Sequence, residues 1–264
     1  MLTYKAFIQP VISYGAPVWY PNASASSIKK LQTVQNAALR TVTGNHSNAP
    51  WKHLHAEMET LPVADHLDLL SSQFLAGAKR SAHPSFATVS TPSQPRQVKQ
   101  TLHSKCADKV APLLREGVLP IANFKRAISA LHTSIVSQVA PSINQNSLLG
   151  AQCPAISKTE KSLPRPFRRV LSQLRGGCCS SLMDYQNLLD RSVDDLCPEC
   201  RVVTHSSSHL FSCTAAPTNL SIIDLWNRPR DVAEHLSTLQ SFSHLPPLPP
   251  LNLPLPRPPP EPPP

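Results

Sequence analysis

Four metal-competent side chains at ligand spacing constrain this chain more than any other feature of its sequence. Within the stretch CPECRVVTHSSSHLFSC, residues Cys197, Cys200, His209 and Cys213 form a Cys-x2-Cys-x8-His-x3-Cys pattern. A Cys-x-x-Cys turn brings two thiolates to one point, and a His-x3-Cys spacing puts two more ligands on one face if that segment is helical. Three sulfurs and an imidazole nitrogen, arranged tetrahedrally, are what a structural zinc ion takes. Buried structural cysteines and a redox dithiol are the competing readings, and the matched His-x3-Cys half weighs against both. His205 is a rival ligand. It ranks below His209 because it sits in the polar run THSSSH, whereas His209 leads directly into Leu210 and Phe211.

A site of this kind needs a frame, and the composition says what sort. The 264 residues include 29 prolines and only 7 glycines, which disfavours glycine-rich phosphate cradles and turn-dense β-sandwiches and favours helices broken at prolines. Ser24 or Ser26 is placed to cap a helix in which Ile28, Leu31, Val34, Ala38 and Val42 recur at helical steps, with Gly44 to end it. Lys29, Lys30, Gln35 and Arg40 fall mainly off that stripe. Upstream, the apolar run from Leu2 to Tyr20 contains Pro10, which kinks a helix or begins a second one. A further helix is expected from Pro62 to Lys79, burying Val63, His66, Leu67, Leu70, Phe74 and Ala78. Others are expected over 98–115, 121–139 and 167–175. The last buries Phe167, Val170, Leu171 and Leu174, exposes Arg168, Arg169 and Arg175, and stops at Gly176 and Gly177. Residues 81–95 read as a loop and 141–164 as a linker.

Charge is unevenly placed. From Arg96 to Arg175 there are 13 Lys or Arg against 3 Asp or Glu, within a chain of net charge +9. Such a segment suits a phosphate backbone, with solvated helix faces as the plainer explanation. The last 19 residues hold 12 prolines and are expected to be polyproline II or disordered. PxxP spacing beside Arg257 also fits an SH3 or WW ligand. No apolar run reaches the roughly 18 residues of a membrane span, and no signal peptide is apparent. The seven cysteines fit a reducing compartment, so the expected location is intracellular, nuclear or cytoplasmic.

Two separated phrases resemble one family. YKAFIQPVISYGAPVWYP followed by IKKLQTVQNAALRTVTG resembles the region just after the palm in reverse transcriptases of non-LTR retrotransposons of the jockey and X-element type. The residues that carry this are Tyr4, Pro10, Tyr14, Gly15, Trp19, Leu31, Gln35, Asn36, Leu39, Arg40 and Gly44. Downstream, LSQLRGGCCSSLMDYQNLLD, the cysteine cluster and DLWNRPRDVAEHL resemble that family's C-terminal Cys-Cys-His-Cys region, in the same order. The likeness covers roughly residues 2–80 and 163–240. With the composition and periodicity read above, the chain is expected to be mainly α, with a reverse-transcriptase thumb-like helical region over 1–80, a basic helical connector and linker over 81–162, a C-terminal helical region with a zinc knuckle over 163–245, and a disordered proline-rich tail over 246–264.

The family is an RNA-directed DNA polymerase, and its two-metal chemistry needs palm aspartates that this sequence lacks. The adjacent Asp194 and Asp195 have no aromatic lead-in and no flanking apolar strands, so a solvated acidic turn is expected there, and neither the catalytic magnesium site nor any other catalytic residue is assigned. What remains is the thumb's mechanical role of touching backbone phosphates. Lys29, Lys30 and Arg40 form one expected nucleic-acid surface and Arg168, Arg169 and Arg175 another, with primer-template, element RNA or target DNA as partner. Met1 falls inside what resembles the first thumb helix, so a fragment, or a host reading frame derived from such an element, is expected. The rival reading is an element-derived protein-interaction module in which the knuckle and proline tail recruit proteins. His53, His55 and His66, near Glu57 and Glu59, are read as scattered rather than metal-binding, and of the adjacent Cys178 and Cys179 one is expected to be packed and one exposed.

Overall fold

The computed structural model describes residues 4–81, 101–115, 124–143 and 145–249. The expected loop at 81–95, the starts of the helices expected at 98 and 121, and the proline tail from 250 onward lie wholly or almost wholly outside them. Within them the chain is mainly helical. Its contacts divide it into two compact units, one of residues 1–154 with 175–178, the other of residues 155–174 with 179–264.

The first unit opens with a π-turn at Tyr4–Ile8, then α1 (Gln9–Ser13), α2 (Ala16–Trp19) and α3 (Ala25–Thr43). Pro10 sits in the first turn of α1, so it begins a helix where its missing N–H costs nothing. Helix α3 has the expected ends. Ser24 Oγ accepts the Ser27 amide, and Gly44, at φ 73°, takes the left-handed conformation that closes the last turn against the Arg40 carbonyl. Its buried face differs from the apolar stripe: Val34 is exposed, while Gln35 and Leu39 are buried. Gln35 is tolerated there because its amide donates to Tyr4 Oη at 2.7 Å and to the Leu61 carbonyl at 3.0 Å.

Next come α4 (Trp51–Met58), α5 (Val63–Ser81), α6 (Leu102–Arg115) and α7 (Phe124–Ile143). Helix α5 is the hub. Val63, Leu67 and Leu70 pack against Ile12, Ala16, Tyr20, Ile28 and Leu31; Leu75 and Ala76 meet Leu102, Cys106 and Val110 of α6; Leu69 meets Leu131 and Ile135 of α7. Enclosed on several sides, α5 does not follow a one-stripe pattern, so Leu69, Leu75 and Ala76 are buried while Phe74, expected inside, is half exposed. A short antiparallel hairpin follows, pairing Gln145 with Gln152 and Asn146 with Ala151 in a stretch expected to be linker.

The second unit contains a 3-10 turn at Lys158–Ser162, then α8 (Arg165–Arg175, its last residue counted with the first unit), α9 (Met183–Leu189), α10 (Asp224–Asn227) and α11 (Pro229–Leu236). Phe167, Leu171 and Leu174 recur at helical steps and are fully buried, as are Leu225, Val232, Leu236 and Phe242, with Trp226 nearly so. Among the described residues no helix is long and apolar enough to cross a membrane.

Candidate metal centre

The cluster is built on a narrow hairpin. An isolated antiparallel bridge joins Leu196 to Thr204, and Cys197 N donates to the Val203 carbonyl at 2.8 Å. Between these strands the chain must reverse tightly. Arg201 does this with a left-handed φ of 56°, its amide donating to the Cys197 carbonyl at 2.8 Å. The turn aims backbone amides inward at the sulfurs: Val202 and Val203 toward Cys200, Glu199 and Cys200 toward Cys197. Those N–H groups, first that of Val202, pull the Cys200 thiol down to about 6, which favours the thiolate a metal ligand must be. Burial acts oppositely on Cys197 and pushes its thiol up.

The other half comes from a short 3-10 turn at His209–Phe211, which presents His209, and from Cys213 just after it. The serine run starts that turn, since Ser206 Oγ accepts the His209 amide at 3.3 Å and the Ser206 carbonyl accepts the Leu210 amide at 3.1 Å. One ligand atom from each of Cys197, Cys200, His209 and Cys213 lies within 4.8 Å of every other. A tetrahedron with metal–sulfur bonds of about 2.3 Å has sulfur–sulfur edges of about 3.8 Å and sulfur–nitrogen edges of about 3.6 Å. Cys197 and Cys213 are 3.9 Å apart and Cys200 is 3.3 Å from His209 Nε2, close to those edges. The Cys3His set is therefore placed to hold a metal ion.

His205 is not in the cluster. It is fully buried and acts as a strut, its Nδ1 receiving the Met183 amide at 3.3 Å and its own amide donating to the Asp195 carbonyl at 2.8 Å. Burial pushes its imidazole down to about 4, keeping it neutral for that role. Asp194 and Asp195 brace the same hairpin by accepting the Leu196 amide and the Thr204 hydroxyl. Among the described residues no second group of metal-competent side chains occurs. His55 is instead a buried polar link, its Nδ1–H donating to the Thr60 carbonyl at 2.9 Å and its Nε2 lying 3.0 Å from the Gln32 amide. Cys178 and Cys179 are both buried, against the expectation that one is exposed.

The cationic residues separate into two kinds. Lys29 and Lys30 on α3 and Arg168 and Arg169 on α8 are exposed. Arg40 is half-buried and donates to the Ala49 carbonyl at 3.0 Å. Arg175, expected on the outer face of α8, is fully buried and ion-paired at 2.8 Å with Glu57. A side chain at Gly176 would meet the His53 ring at 2.8 Å, so glycine is what lets this segment approach α4. No family model, curated protein or solved structure matches the chain.

Proposed function

We propose that the chain is a zinc-stabilised, non-catalytic nucleic-acid-binding protein corresponding to the C-terminal part of a non-LTR retrotransposon reverse transcriptase. The observation that carries this reading is the pairing, in one unit, of the Cys3His cluster with a helix whose solvent face is arginine. Helix α8 contains no acid, and Arg165, Arg168 and Arg169 are exposed on it, as are Lys158 and Lys161 in the 3-10 turn before it. Zinc suits the donor set because three thiolates and an imidazole satisfy its preference for sulfur and nitrogen without redox chemistry. The cations neutralise backbone phosphates of RNA or DNA and release their counterions on binding.

Two measurements test this. Binding of the full chain to a primer-template weakens steeply with salt, and Arg165→Ala/Arg168→Ala lowers the log–log salt slope by roughly one per arginine. Salt-insensitive binding, or none, sinks the nucleic-acid reading. Elemental analysis gives a single zinc per chain, lost in Cys197→Ser and Cys213→Ser and in His209→Ala but kept in His205→Ala; retention in all four rejects the ligand set.

One observation favours the second reading, a protein-interaction module. Phe7, Val11, Tyr14 and Val18 are 71–86% exposed at steps of four, three and four residues. Recovery of a partner that survives nuclease treatment and is lost in Val11→Asp/Val18→Asp supports that reading.

A further inference from the structure

We infer that a depression beside the Cys3His cluster is a pocket for one unpaired nucleobase of single-stranded RNA or DNA. It is open to solvent and offers about 500 Å³. Three stretches of the second unit form it: the residues around the start of α9, the Cys-x-x-Cys turn at Pro198, and the segment after α11 from Gln240 to His244. They are stitched together where they meet. Glu199 Oε1 accepts the Gln240 amide at 2.6 Å, and the buried His205 ring joins the Met183 amide at 3.3 Å to the Ser241 hydroxyl at 3.5 Å. One side of the pocket, at Pro198, is thus carried by the loop that bears two of the metal ligands.

The lining chemistry selects the occupant. Apart from the His244 imidazole it holds no titratable side chain, so it does not suit a phosphate or a carboxylate. Instead it offers neutral amides and hydroxyls beside the apolar Met183 and Pro198. Gln186 spends one N–H on the Ser180 carbonyl at 2.8 Å, leaving its other N–H and its carbonyl oxygen for a ligand. A glutamine amide matches the paired donor and acceptor on a base edge, and an imidazole or apolar side chain matches a base face. Bases in a duplex are stacked and paired, so only an unpaired base can enter.

This inference rests on the nucleic-acid reading above, and its test separates the two. The zinc-loaded full chain is titrated into fluorescein-labelled oligoadenylate, oligouridylate and the duplex they form together. Two variants address the pocket, Gln186→Ala/Gln240→Ala removing its amides and Ser181→Trp filling it from the rim, each checked for unchanged zinc content. Both are expected to bind at least one of the single strands about tenfold more weakly while duplex affinity stays the same. Unchanged single-strand binding in both variants, or an equal loss on duplex, overturns the pocket and leaves the broader reading standing. Failure of the wild-type chain to bind any of the three nucleic acids overturns that reading and the pocket with it.

Discussion

Arg175 and Glu57 form a buried ion pair at 2.8 Å. Removing one charge of such a pair weakens what holds the other in a medium that solvates it poorly, whereas replacing both by apolar residues of similar volume is often neutral. Glu57→Gln is therefore expected to lower stability in urea denaturation by a few kcal/mol at most, and Glu57→Leu/Arg175→Met to cost less than the single change. His55 makes a pH-dependent contribution at the same scale. Burial holds its pKa below the ordinary 6.5, so the unfolded chain binds the proton more readily. Its contribution is complete above about pH 6.5 and falls as the pH drops below it; His55→Gln flattens the stability–pH curve in that window. Neither role is written in local spacing. Arg175 reads as one more outward arginine until Glu57, 118 residues upstream, is seen beside it. Gln35 likewise falls off the apolar stripe of α3 until Tyr4 and Leu61 supply its hydrogen bonds.

At the scale of elements, legibility follows how local the determinants are. Helix α3 was readable to its ends because Ser24 and Gly44 act within one turn of themselves. The buried face of α5 was not, because three sets of neighbours surround it. Helix α4 escapes the pattern altogether, being eight residues whose buried positions include His53 and His55. The ligand spacing was legible because the four donor types lie close together in the chain, while the short helical turn that presents His209 takes its 3-10 form from the serines before it. Arg201 offers a test at this scale. An L-residue with a left-handed φ is strained by about 1 kcal/mol, which glycine avoids. Arg201→Gly is thus expected to keep or raise the melting temperature of the metal-loaded chain, and Arg201→Val to lower it. The reverse order would show that the arginine side chain outweighs the strain of the turn.

For the whole molecule, the decisive comparison is between what each unit's core supplies and what a metal supplies. A structural zinc contributes on the order of 10 kcal/mol, and an entire domain is stable by only about 5–15 kcal/mol. In the second unit the four possible ligands lie within the stretch from Leu196 to Cys213, and His205 and Glu199 tie that stretch to α9 and to the segment after α11. Chelation therefore removes more than a loop. It is expected to release Trp226, 2% exposed in the second unit, while the α5-centred core of the first unit keeps its own packing. In a Trp19→Phe/Trp51→Phe chain, phenanthroline should shift Trp226 emission to the red, and added zinc should reverse the shift. Helical circular dichroism should fall only in part, because α3, α5, α6 and α7 persist. Unchanged Trp226 emission in a chain shown to be metal-free would mean that hydrophobic burial alone holds the second unit, and that the Cys3His cluster, whatever it binds, does not build the fold around it.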